Sequence, residues 1–134
     1  MPLVYRVMKK GADDLPEVGP TNLGVRPMDV DVDAGNNVIV NGKGMSVAPA
    51  WRDININRIP KRLRTVAPGA QGTNSAACFC TGTGPFLQGP FAAALTLEPD
   101  SATHGNVTPA LAVPLATFDA HLAATRPDWK VDEI

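Results

Sequence analysis

The chain has 134 residues, of which 12 are Lys or Arg, 13 are Asp or Glu and 44% are hydrophobic. This length favours one domain spanning residues 1–134. The formal net charge of −1 excludes the broad electrostatic attraction on which non-specific binding to nucleic acid or acidic membranes depends. No stretch approaches the ~20 apolar residues that cross a bilayer, so we expect no membrane partner.

The first apolar stretch, residues 3–8, is rich in strand-forming side chains and predicts a first strand with Arg6 in its middle. A guanidinium inside an apolar element is costly to desolvate unless it meets a carboxylate or a bound anion. Arg6 therefore predicts either a structural ion pair or a ligand site. The acids available to it are the Asp residues of the next segment and Glu98.

Three Asp residues alternate with other residues at positions 29, 31 and 33, ahead of a predicted β-hairpin whose turn lies near Gly35. The alternation resembles the start of a calcium loop, but the glycine is misplaced and position twelve of the loop is Val40. We therefore expect these carboxylates to face solvent from a strand and expect no metal site.

The segment from Trp51 to Arg64 predicts a loop and one helical turn at residues 61–64. Four cations fall within seven residues there, and they are the only basic cluster: Arg58, Lys61, Arg62 and Arg64. Such a cluster is either a phosphate-facing patch or a solvated surface.

Residues 76–81 predict a strand that carries both cysteines, Cys78 and Cys80. Their spacing puts the two side chains on one face of the strand, where it suits a mutual disulfide poorly. A closed zinc site would need four ligands, and besides these thiols only His104 and His121 are available. We expect reduced, buried thiols and a cytoplasmic protein.

The C-terminal half predicts a strand over residues 91–97, a polar junction at His104, and the one strong helix over residues 115–124. Many short strands with one good helix indicate an α+β domain with mixed or antiparallel sheets and a C-terminal helix. In the junction, the His104 imidazole is suited to donating, accepting or shuttling a proton, or to a plain turn.

Four segments carry a family resemblance. They are residues 4–9, the run 44–51 with Ser46 and Trp51, residues 58–63, and residues 104–110 leading into the helix. In this order they resemble small toxins that include a type VI secretion effector with an ADP-ribosyltransferase-like fold. The resemblance implies a toxin that uses NAD as a substrate in the cytoplasm of a target bacterium. It also implies a macromolecular acceptor and a cognate immunity protein.

The resemblance implies roles for individual residues of the arginine-serine-glutamate class. Arg6 matches the first-strand arginine that holds NAD, Ser46 matches the serine that orients the nicotinamide ribose, and Glu98 is the candidate glutamate by order along the chain. Three further side chains are then expected at the dinucleotide: Arg58 and Arg62 at its phosphates, and Trp51 over the nicotinamide. His104 is expected at the ribose or at the acceptor.

Two departures from that class keep other functions open. The double-acid motif is absent, and Ser46 is not part of a serine-threonine-serine triplet. A non-catalytic binding module on a degenerate transferase fold therefore remains an alternative. The basic run at residues 58–64 supports a third hypothesis, a transferase directed at RNA.

Overall fold

The computed structural model describes residues 1–133, which form nine short strands and one α-helix. The strands are β1 (Val4–Lys9), β2 (Asn37–Val38), β3 (Met45–Val47), β4 (Ala76–Thr81), β5 (Gly89–Ala92), β6 (Leu95–Pro99), β7 (Gly105–Pro109), β8 (Val113–Pro114) and β9 (Lys130–Val131). Helix α1 spans Leu115–Ala123. Single 3-10 turns cover Pro27–Asp29, Trp51–Asp53, Lys61–Leu63 and Arg126–Asp128. This content confirms the α+β class.

The named strands pair in an antiparallel manner in three sheets, ordered β1-β4-β9, β2-β8 and β3-β7-β6-β5. Strand β4 is central in the first sheet, where Arg6 lies opposite Phe79 and Phe79 lies opposite Val131. Strand β7 holds β3 on one side and β6 on the other. The pairing of β7 with β3 and with β6 fixes the relative positions of Ser46 and Glu98.

The two faces of β1 belong to different clusters of buried side chains. Val4 and Met8 join the main core, to which α1 contributes Phe118 and Leu122. Val7 joins a second, smaller cluster that also contains Trp51. Because side chains alternate along a strand, Arg6 emerges on the main-core face between Val4 and Met8. This placement explains why its guanidinium is buried.

Residues 91–97, predicted as one strand, instead form a β-hairpin. Ala92 pairs with Leu95, and Ala94 adopts a left-handed backbone with φ of 63°. The prediction was wrong because alanine gives no turn signal, and the left-handed region normally attracts Gly or Asn. The predicted strand at 76–81, the helical turn at 61–63 and the helix from Leu115 are confirmed.

The turn predicted near Gly35 is present, but the hairpin around it reduces to one bridge between Val32 and Val38. Strand β2 pairs with β8 instead of extending that hairpin. Asp29 lies in a 3-10 turn and binds Arg26, which corrects its predicted position on a strand. No helix within residues 1–133 is long and apolar enough to cross a membrane.

Candidate functional site

Arg6 is 7% exposed and makes two hydrogen bonds with backbone oxygens. Its Nε donates to the carbonyl of Asn22 and its Nη1 to the carbonyl of Ser46, each at 2.8 Å. Within residues 1–133, none of the ion pairs involves Arg6. Of the two alternatives predicted for Arg6, an ion pair with Glu98 or a nearby Asp is therefore not found among residues 1–133.

The charge of Arg6 is only partly balanced by its surroundings. Burial, and next the positive charge of Arg58, lowers the pKa of Arg6 to about 9. The group still carries its charge at neutral pH. The negative charge of Asp29 favours the charged form of Arg6. The pKa of Asp29 itself is lowered chiefly by its side-chain hydrogen bonds to Arg26. Its Oδ1 accepts from Arg26 Nη2 at 2.8 Å, so that carboxylate is already engaged.

A cavity of about 240 Å³ opens beside Arg6, and we call it the arginine cavity. It is lined by Arg6, Pro20, Thr21, Arg26, Asp29, Gly44, Met45, Ser46 and Arg58. Three guanidinium groups against one carboxylate give this lining a formal net charge of +2. The Arg58 side chain is exposed, and within residues 1–133 it takes part in none of the side-chain hydrogen bonds or ion pairs. Its donors are available to a ligand.

Two further cavities adjoin the arginine cavity. An outer cavity of about 370 Å³ shares Thr21 and Arg58 with it. A side cavity of about 50 Å³ shares Arg6, Ser46 and Arg58 and is also lined by His104. Arg58 therefore lies where all three meet. Three cavities that share Arg58 in their lining offer more contacts to an elongated anionic ligand than to a compact ion.

Ser46 and His104 are brought together by the pairing of β3 with β7. Ser46 lies opposite Asn106, two residues after His104. The His104 Nε2 is 3.3 Å from the Ser46 hydroxyl, and its Nδ1 is 2.8 Å from Asp100 Oδ1. Asp100 was not among the predicted site residues. The sequence signal that could have identified Asp100 is a carboxylate four residues before an imidazole, at the two ends of the loop between β6 and β7.

Glu98 lies in the same row across the sheet as Ser46, with strand β7 between them. Asn106 lies opposite Ser46 on β3 and opposite Glu98 on β6. Two strand spacings separate the backbones of Ser46 and Glu98, about 10 Å. Glu98 does not line any of the three cavities described above. Of the predicted residues, Arg6, Ser46, Arg58 and His104 line these cavities, and Glu98 lies outside them.

The structure removes Trp51 and Arg62 from the expected dinucleotide site. Trp51 is 3% exposed and packs in the second core cluster, so it has no free face to cover a nicotinamide ring. Arg62 holds Glu133 with two hydrogen bonds of 2.7 and 2.6 Å and also donates to the Ala76 carbonyl. Of the basic cluster, only Arg58 lines these cavities.

The end of the described chain is fastened by a set of contacts that we call the C-terminal clasp. Tyr5 donates its hydroxyl to Asp132 Oδ2 at 2.8 Å, and the backbone N–H of Cys78 donates to Glu133 at 3.2 Å. Burial, followed by Asp132, raises the pKa of Tyr5 to about 12. Burial likewise raises the pKa of the Cys78 thiol to about 12. None of these groups lines the arginine cavity, although Tyr5 lines the side cavity.

The thiols of Cys78 and Cys80 are free and buried. Within residues 1–133, no group of three or more His, Cys, Asp or Glu side chains is arranged to hold a metal ion. Comparisons with protein-family models, with curated proteins and with solved structures give no match. Function must therefore be argued from the site, which combines a buried cation, a free cation and a hydroxyl next to an oriented imidazole.

Proposed function

We propose that the protein binds NAD in the arginine cavity and transfers its ADP-ribose group to a macromolecular acceptor, a protein or an RNA. The observation that carries the proposal is the buried guanidinium of Arg6, which forms no ion pair with a carboxylate of residues 1–133 and lies next to Ser46. The pyrophosphate of NAD bears two negative charges, which match the net charge of the cavity lining. Guanidinium groups are the preferred protein donors for such oxygens.

The three cavities that share Arg58 suggest how the dinucleotide lies. Arg6 and Arg58 neutralise the pyrophosphate, and the adenosine half extends into the outer cavity beyond Arg58. The exposed hydroxyl of Ser46 then meets the ribose that carries nicotinamide. Holding the dinucleotide bent with its phosphates neutralised is most of what this reaction requires of a protein.

In the transfer step, the bond between ribose C1′ and the nicotinamide nitrogen breaks, and nicotinamide leaves with the bonding electron pair. A nucleophile of the acceptor attacks C1′ and gives up its proton. His104, whose Nε2 lies 3.3 Å from Ser46 Oγ, is the base placed to take that proton. Glu98, which stands two strands from Ser46 and outside the three cavities, is assigned to contact with the acceptor.

The biological setting of the proposal comes from the sequence resemblance. In this proposal the protein is a toxin that a type VI secretion system delivers. It acts in the cytoplasm of the recipient cell and is neutralised by an immunity protein. A non-catalytic binding module is the second candidate, because Glu98 lies outside the three cavities. The two candidates differ in whether NAD is consumed.

The first experiment is a calorimetric titration of NAD and ADP-ribose into the protein and three variants. Arg6→Met and Arg58→Met should weaken binding about 10- to 100-fold, because each removes charged hydrogen bonds to phosphate. Arg52→Met is the matched control, since Arg52 stacks 5.0 Å from the Trp51 ring centroid and does not line the three cavities. Arg58→Met removes an exposed side chain and tests the idea without a folding defect.

The second experiment incubates the protein with labelled NAD and cell lysate, then separates protein from RNA. Label in either fraction with release of nicotinamide supports the transferase and identifies the acceptor class. Binding of NAD without nicotinamide release supports the binding module. Absence of binding heat for both NAD and ADP-ribose refutes the proposed site.

A further inference from the structure

Asp100, His104 and Ser46 form a continuous line of polar contacts. Asp100 places its Oδ1 and Oδ2 at 2.8 and 2.9 Å from His104 Nδ1, and His104 Nε2 lies 3.3 Å from Ser46 Oγ. Asp100 and Ser46 are exposed, and the His104 side chain is 44% exposed. A carboxylate that orients an imidazole, which in turn contacts a hydroxyl, is the arrangement that activates serine as a nucleophile on unrelated folds.

The roles of the two ring nitrogens follow from their partners. A carboxylate is an acceptor, so it fixes the proton on Nδ1 and leaves Nε2 as the free base. Nε2 can then accept the proton of Ser46 Oγ. The competing acceptor for that proton, Asn106 Oδ1, is further away at 3.5 Å. Asn106 is itself held by donating Nδ2 to the Gly42 carbonyl at 2.9 Å.

We propose that Asp100, His104 and Ser46 make the protein an acyl hydrolase that cleaves esters whose acyl chain carries an anionic group. The activity is independent of NAD. Ser46 supplies the nucleophile, His104 the base, and Asp100 is a positioning residue. Arg58, which lines the side cavity with Ser46 and His104, is the available donor for the oxyanion.

The reaction runs in two balanced steps. Ser46 Oγ attacks the ester carbonyl carbon, and its proton passes to His104 Nε2. The carbon–oxygen bond to the alcohol breaks, and His104 returns the proton to the departing alcohol. Water then attacks the acyl-serine with His104 again as base, which releases the carboxylic acid and restores Ser46.

The substrate class follows from the surroundings of Ser46. Ser46 lines both the side cavity and the arginine cavity, and the latter has a net positive lining. An acyl chain ending in a carboxylate or phosphate can anchor at Arg6 while its carbonyl lies at Ser46. A neutral acyl chain lacks that anchor, so the anionic ester should be hydrolysed faster.

The test uses two probes that need no NAD. A fluorophosphonate should add covalently to one residue, located as Ser46 by peptide mass spectrometry. The half-ester of adipic acid with p-nitrophenol should turn over at least 10-fold faster than p-nitrophenyl acetate. Ser46→Ala should abolish both signals, and Ser101→Ala, which removes an exposed hydroxyl from the same hairpin loop, should leave both unchanged.

Two further variants test whether Ser46 is activated by the Asp100–His104–Ser46 contacts, which we call the relay, or is only an accessible serine. His104→Gln and Asp100→Asn should lower kcat at least about 100-fold with KM unchanged, while His121→Gln, on α1, should have no effect. Labelling of Ser46 at an equal rate in His104→Gln overturns the relay. So does labelling of another residue, no labelling, or labelling without turnover of either ester. None of these outcomes bears on NAD binding, which is measured separately.

Discussion

Gly44 controls the distance between the strand that carries Ser46 and the strand that follows His104. It lies just before β3, is buried, and lines the arginine cavity. A Cβ added at this position would stand 2.9 Å from the backbone carbonyl carbon of Val107 and closer still to its oxygen. We predict that Gly44→Ala destabilises the fold and separates β3 from β7.

The magnitude follows from the nature of the obstructing atoms. They belong to the backbone of β7, so no side-chain rotation relieves the clash, and β3 must move by about 1 Å to regain van der Waals distance. Overpacking of this kind costs about 1–3 kcal/mol, and an obstructing backbone favours the upper end. At about 4 °C per kcal/mol for a chain of this size, the melting temperature should fall by roughly 10 °C.

The assay is thermal and urea unfolding of Gly44→Ala beside a matched control, Gly19→Ala. A Cβ at Gly19 meets nothing within 4 Å, so that variant should keep the stability of the parent. The displacement of β3 should also lengthen the contact between Ser46 and His104 and lower any activity that depends on it. If Gly44→Ala is as stable as Gly19→Ala, the close approach of the two strands is wrong.

Three further predictions concern ionisation and the clasp. Tyr5 is the only tyrosine, so ultraviolet titration after a rapid pH jump should give its native pKa as about 12, and a midpoint near 10 contradicts the clasp. Because this pKa is raised by folding, the contribution of Tyr5 to stability should be complete below pH 10 and decline as the pH rises towards 12. Cys78 and Cys80 should resist a thiol reagent at pH 8 until the protein is unfolded, because they are 0% and 1% exposed. Rapid labelling of the native protein would show that the side chains of β4 are accessible to solvent. Arg62→Met should speed hydrogen exchange at the β9 amides while changing global stability by less than about 1 kcal/mol, and unchanged exchange would show that Arg62 does not hold the clasp.

The parts of this fold that the sequence predicted are those governed by local pattern. The strand around Arg6, the strand with the cysteines and the helix from Leu115 each have a clear run of suitable residues. The hairpin at Ala94 was not predictable in this way, because its left-handed residue is an alanine. The sheet, through the pairing of β6 with β5 and β7, imposes a turn that the local residues do not signal.

The candidate site shows the same division between local and distant causes. A buried cation at Arg6 follows from its apolar neighbours, whereas its hydrogen bonds to Asn22 and Ser46 come from segments 16 and 40 residues away. The burial of Trp51 depends on the second core cluster, which gathers residues 7 to 78. The contact between Asp100 and His104 depends on the conformation of the loop between β6 and β7, which the local residues do not specify.

The order β1-β4-β9 has a consequence for how the chain matures. The central strand of this sheet is flanked by the first strand and by residues 130–131. The sheet therefore lacks its third strand until that late segment has been synthesised. Until then β1 and β4 form a two-stranded ladder, a unit of marginal stability in water. Arg6 lies on that ladder, so the strand that carries it belongs to a complete three-stranded sheet only once residues 130–131 have been added.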